Sequence, residues 1–288
     1  MLDLILTHPP LLFGGVFVLG AIIGSFLNVV ILRLPPLLEH DWHCQCRELL
    51  ALPAGADKRP PGIVFGRSHC PHCGHGIKAH ENIPLLSFLF LRGRCSACKA
   101  GISWRYPAIE LLTAVLFVVT LWHFGPTTQG FSALFLTAAL ITLTGIDADT
   151  QLLPDNMTLP LLWAGIVVNY FALYTDLASS VMGAIVGYLI LWSIYHLFRL
   201  LTGKEGMGYG DFKLLAALGA WMGWQFLPLM VLMSSVVGAA FGLILMGTGR
   251  LQRDKPMPFG PFIAAAGWIT LIWGEKIMQY YTKSNGFG

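Results

Sequence analysis

The sequence predicts an all-α polytopic membrane protein of about eight transmembrane helices, with one small soluble loop module. Three observations predict it. Of 288 residues, 55% are hydrophobic and 11% charged, whereas soluble domains run at about 25% charged. Mean hydropathy is +0.66. The eighteen Lys and Arg are confined to a few stretches, with none from Tyr106 to Phe198, as expected where helices cross a bilayer and their loops are short or external. The net charge of +3 is too small to argue for nucleic acid, so the partner that the composition implies is membrane lipid.

In chain order, Leu11–Leu32 reads as the first membrane helix. The preceding segment carries Asp3 and His8 but no basic residue, so it lacks the positive start of a cleavable signal. Further apolar runs are Tyr106–Phe124, Phe131–Ile146, Met157–Tyr174, Leu177–Leu200, Phe226–Gly247 and Phe259–Tyr280, each near the roughly 20 residues that a helix needs to span. Phe212–Gln225 is shorter and rich in Gly and Ala, a short span or a re-entrant helix. Ten of the eighteen basic residues lie between Arg33 and Arg105, which places that loop in the cytoplasm. Counting spans then puts Asp147–Asn156, Arg199–Gly210 and Thr248–Pro258 inside. Arg250, Arg253 and Lys255 agree with this, and Lys276 and Lys283 run against it. The division expected is an N-terminal helix (1–32), a cytoplasmic module (33–105) and a transmembrane bundle (106–288).

The module holds Cys70-Pro-His-Cys73 and Cys95-Ser-Ala-Cys98, with 21 residues between the pairs. A two-residue gap lets both thiolates of a pair reach one tetrahedral ion, so Cys70, Cys73, Cys95 and Cys98 are the candidate ligands of a structural Zn²⁺. Sites of four thiolates also accept iron. Two disulfides or redox pairs are the other reading, disfavoured in a reducing cytoplasm. Cys44 and Cys46, one residue apart, fit no such pattern and read as free thiols.

Few acids lie in or beside the spans, and an ionisable residue there points to function. Asp147 ends the third span and Asp211 follows Gly208-Tyr209-Gly210, 64 positions later. Both fall at the cytoplasmic edge. Two carboxyl groups in reach share a proton, the arrangement in which one acid activates water and the other polarises a carbonyl. Alternatives stay open: Asp155 and Asp211 as helix N-caps, Asp149 as a solvated loop residue, or the pair as a cation site or proton relay.

An ordered series of segments resembles the type IV prepilin peptidases, the bifunctional leader peptidase and N-methyltransferase family. It runs Gly24-Ser25-Phe26-Leu27-Asn28-Val29, Arg67–Cys73, Glu81-Asn82-Ile83-Pro84, Leu91–Cys95 and Ile102–Pro107, then Glu110 and the two aspartate segments. The resemblance covers nearly the whole chain. It implies an intramembrane aspartyl protease of the Gly-x-Gly-Asp type in a bacterial inner membrane. Such an enzyme cleaves the basic leader of prepilins and type II secretion pseudopilins after a glycine, then methylates the new N-terminus with S-adenosylmethionine. It carries the catalytic role onto Asp147 and Asp211, with Asp149 and Asp155 non-catalytic. It points to Gly93, Glu81 and Asn82 for the methyl donor, where no Gly-x-Gly-x-x-Gly site is seen. Glu205 or Glu81 are candidates for meeting the basic leader, and Glu110 for pairing with Arg105 or supporting methylation. Competing readings are an ion- or proton-coupled transporter using the two aspartates, and a membrane-anchored zinc scaffold. Transporters, however, usually show repeated halves and midplane acids.

Overall fold

A computed structural model describes residues 9–53, 58–64, 66, 68–204, 206–248 and 257–284. The chain divides into two compact units, Met1–Pro126 and Thr127–Gly288.

The first unit is built on α1 (Pro9–Leu49) and α3 (Arg105–Phe124). Their seam is made by small residues on α1: a Cβ at Gly24 would lie 2.8 Å from the Glu110 Cα, the close approach that membrane helices use. Asn28, buried on the same face, donates to the Tyr106 carbonyl at 3.1 Å. α1 continues well past Leu32, where an end was expected. Pro35 and Pro36 lie inside it, although proline normally breaks a helix; burial of Leu34 and Pro35 holds it together there. The helix Arg105–Phe124 also belongs to this unit rather than to the bundle that follows. Between α1 and α3 come a 3₁₀ turn (Ala79–Asn82), the short α2 (Leu86–Phe90) and two cysteine loops.

The second unit comprises α4 (Thr128–Thr150), α5 (Asp155–Tyr170), α6 (Leu177–Thr202), α7 (Tyr209–Met222), α8 (Leu227–Gly247) and α9 (Gly260–Ser284). At its centre is α7, buried from Asp211 to Met222 except at Lys213. Its backbone meets α6 directly, since a Cβ on Gly183 would run into the Gly219 carbonyl. A helix that ends inside a bundle leaves its last carbonyls without partners. Here Asn169 donates to the Ala220 and Trp221 carbonyls at 2.8 Å each, and Ser180 donates to Ala220 at 2.6 Å.

Five helices among the described residues are long and apolar enough to cross a membrane: Pro9–Leu49, Arg105–Phe124, Thr128–Thr150, Leu177–Thr202 and Trp224–Gly247. α5 and α7 have 16 and 14 residues, about 24 and 21 Å at 1.5 Å per residue, short of a hydrocarbon core of about 30 Å. α9 is long enough but carries Glu275, Lys276 and Lys283 in its last third. The protein is therefore polytopic and helical, with five qualifying spans where eight were expected. Arg67, Glu205, Arg250, Arg253 and Lys255 lie outside the described residues.

Candidate active site and thiol centre

Within the second unit, α4 delivers Asp147 near its C-terminus and α7 delivers Asp211 in its first turn. Both side chains are buried, at 4% and 6% exposure, and close enough to repel each other. The sequence separates them by 64 positions; the bundle brings them together.

Each is oriented by backbone. Asp211 Oδ2 accepts the Gly208 N–H at 3.2 Å. Asp211 thus sits inside α7, reaching back over its start, and is not the N-cap residue. Asp147 Oδ2 accepts the Gly260 N–H at 2.9 Å, at the positive end of α9. A Cβ on Gly260 would lie 2.6 Å from that same oxygen. Leu153 ties the two sides together: it lies against Gly260 and also against Gly210, which precedes Asp211. Gly260 had no place among the sequence candidates. Its signal was the run Pro258-Phe259-Gly260-Pro261 opening the last apolar segment.

The neighbouring acids do other work. Asp155 is not an N-cap either: α5 begins after Pro154, and the Asp155 carboxylate takes both bonds from Lys213 Nζ, at 2.6 and 2.7 Å. Asp149 is exposed.

In the first unit the four cysteines converge, each offering a sulfur within 4.8 Å of the others. The two loops are copies offset by 25 positions. Cys70 N–H donates to His75 O as Cys95 N–H does to Ala100 O, and His69 bridges Gly76 as Arg94 bridges Gly101. Gly74 and Lys99 hold equivalent positions at φ +70° and +60°. Backbone N–H groups aimed at sulfur stabilise thiolate: that of His72, then Cys73, pulls the Cys70 thiol down to about 7. The Cys98 and Ala97 amides lower Cys95 likewise. Four sulfurs this close together fit a tetrahedral metal ion. Cys44 and Cys46 lie exposed on α1, away from this set, as free thiols.

A cavity of about 480 Å³ lies in the same unit. Among its lining residues are Ser25, Asn28, Glu81, Asn82, Phe88 and Glu110. Glu110 accepts the Leu85 N–H at 2.7 Å and a bond from Ser25; Leu85, rather than the expected Arg105, is its partner. Glu81 accepts the Lys78 N–H at 2.9 Å. That bond, with Ser96 next, holds its carboxyl down at about 2, so Glu81 is ionised at any physiological pH. Gly93 does not line the cavity but backs it, its Cα side lying against the Phe88 ring.

Fold and centres together define a class: a polytopic helical membrane protein with a buried carboxyl pair in one unit and a thiol centre able to hold a metal ion in the other. Residues 18–124 match the bacterial peptidase A24 N-terminal domain, and residues 134–243 the type IV leader peptidase family. The chain belongs to the type IV leader peptidase family. Relatives named prepilin leader peptidase/N-methyltransferase include one from Stutzerimonas stutzeri, 54% identical over 92% of each chain. Another, from Pseudomonas aeruginosa, is 50% identical over 100% of this chain and 99% of its own. A third, from Aeromonas hydrophila, is 52% identical over 98% and 97%. No solved structure matches. Family membership makes the chain an enzyme and leaves the transporter and scaffold readings without support.

Proposed function

We propose that this enzyme removes the leader from type IV prepilins and pseudopilins at the cytoplasmic face of the bacterial inner membrane, and methylates the new N-terminus with S-adenosylmethionine. The observation that carries the peptidase half is the convergence of Asp147 and Asp211, two buried acids from different helices at one end of the bundle. Two buried acids within electrostatic reach of each other share a single proton. The ionised member takes a proton from water, which attacks the scissile carbonyl while the protonated member polarises it. The Gly260 N–H gives Asp147 Oδ2 a fixed donor, leaving the other oxygen to face water. A prepilin's apolar helix is itself held in the membrane, so its leader junction presents at the edge where these acids belong.

The four-thiol site is best suited to zinc, which favours closed tetrahedral sulfur ligation and would staple a module with few elements of its own. Glu81, ionised and outside the spans, is suited to meet a basic leader. Glu205 has the same charge but lies outside the described residues. The proposed division of labour is cleavage by the bundle and methyl transfer on the module and its flanking helices.

Intact mass of a purified prepilin, incubated with the enzyme and S-adenosylmethionine, tests this. Wild type should give loss of the leader plus one methyl group, and Asp147→Asn or Asp211→Asn should give neither. Cleavage surviving both substitutions would remove the acid pair from the mechanism. Elemental analysis of the same preparation identifies the metal.

A further inference from the structure

We infer that the cavity between α1, α3 and the cysteine module is the methyl-donor site, with Glu110 facing the donor's cationic sulfonium; this rests on the methyltransferase reading above. The volume of about 480 Å³ falls within the roughly 300–1,000 Å³ of sites that enclose small molecules. Its lining brings two carboxyl groups, Glu81 and Glu110, and two aromatic rings together with one guanidinium, Arg33, groups that suit a zwitterion bearing a cationic centre and a flat ring. Glu110 is a buried carboxyl, 8% exposed, on a helix long and apolar enough to span, where an acid is costly unless it serves a ligand or partner. Among the described residues its partners are the backbone N–H of Leu85 and the hydroxyl of Ser25, with no cationic side chain. Leu85 holds φ +60° while making that bond, and such strain in a non-glycine residue persists where the surroundings impose it, often at ligand clamps. Phe88 and Tyr106 line the same space and supply aromatic faces for a purine or a cation.

The sequence motifs that the peptidase chemistry leaves unused meet here. Ser25 and Asn28 of the first-span motif, Glu81 and Asn82 of the loop, and Glu110 all line this one cavity. Gly93 acts through Phe88: a Cβ there would lie 3.0 Å from the ring, so any side chain at Gly93 displaces a wall.

Methyl transfer to an amine converts the sulfonium into a neutral thioether. A carboxylate at the sulfur therefore favours donor over spent product. Calorimetric titration of the full metal-loaded chain in detergent, with S-adenosylmethionine and separately with S-adenosylhomocysteine, reads that preference directly. We expect wild type to prefer the sulfonium, and Glu110→Gln, which keeps shape and hydrogen bonding, to lose roughly tenfold in donor affinity with little change for the thioether. Val29→Trp, filling the cavity from α1, should abolish binding of both. Metal content and the unfolding midpoint establish that each variant keeps its fold. Wild type that methylates prepilin, with both variants binding the donor as it does, would overturn this site and leave the methyltransferase reading standing. Wild type that neither binds the donor nor methylates would overturn the reading and this site with it.

Discussion

At the scale of residues, Gly260 shows how an acid can be set by a group with no chemistry of its own. Its N–H reaches Asp147 Oδ2 at 2.9 Å, and no side chain fits between them. Gly260→Ala places a methyl 2.6 Å from the carboxylate oxygen, so Asp147 must rotate or α9 must retreat. A displacement of about 1 Å in a catalytic group costs on the order of a hundredfold in rate. Leader cleavage by Gly260→Ala is therefore expected to fall by about that factor, with donor affinity in the first unit unchanged. Cleavage at the wild-type rate would show that Asp147 needs no such orientation. The aspartates themselves were legible in sequence because acids are rare beside apolar runs. Gly260 was not, because a glycine opening a helix carries no such contrast, and the partner of Glu110 was hidden for a related reason: Leu85 contributes only its backbone.

Among the elements, the apolar runs announced every long helix, yet one boundary escaped them. Pro35-Pro36 reads as a stop, whereas packing of Leu34 and Pro35 carries α1 on to Leu49. The cysteine centre was readable because its spacing is local, while the meeting of Asp147 with Asp211 needed the bundle. The short α7 depends on others for its end. Asn169, 1% exposed, donates to the Ala220 and Trp221 carbonyls and accepts from the Tyr174 and Thr175 N–H groups at 3.0 and 3.2 Å. Replacing it by leucine of similar size strands these groups away from water, at about 1–3 kcal/mol for each buried group left unpaired. Asn169→Leu should lower stability by on the order of 3 kcal/mol, read as unfolding in detergent. It should also slow cleavage through looser placement of α7. A stability within about 1 kcal/mol of wild type, the worth of one net hydrogen bond, would mean that water replaces the side chain.

For the molecule as a whole, the bundle's two ends differ in charge, and that difference predicts an orientation. The end holding Asp147, the Asp155–Lys213 pair and Gly260 gathers the α4–α5 and α6–α7 connections. Arg199, Lys204 and Lys213 lie there. At the other end Tyr174 donates to the Gln129 carbonyl, Asn169 to the Trp221 carbonyl and Gln225 to the Ser179 hydroxyl, and no Lys or Arg occurs in 125–130, 171–179 or 220–226. Cytoplasmic loops carry the basic excess, so the aspartate end is predicted to face the cytoplasm; Lys276 and Lys283, in the last third of α9, are the exceptions to this asymmetry. Single cysteines test it with a thiol reagent that cannot cross the membrane. Phe171→Cys, at the uncharged end, should react in intact cells. Thr202→Cys, at the aspartate end, should react only after permeabilisation, and the native cysteines of the module should behave as Thr202→Cys does. Reaction of Thr202→Cys from outside would put the carboxyl pair on the outer face, where a leader that never leaves the cytoplasm could not reach it.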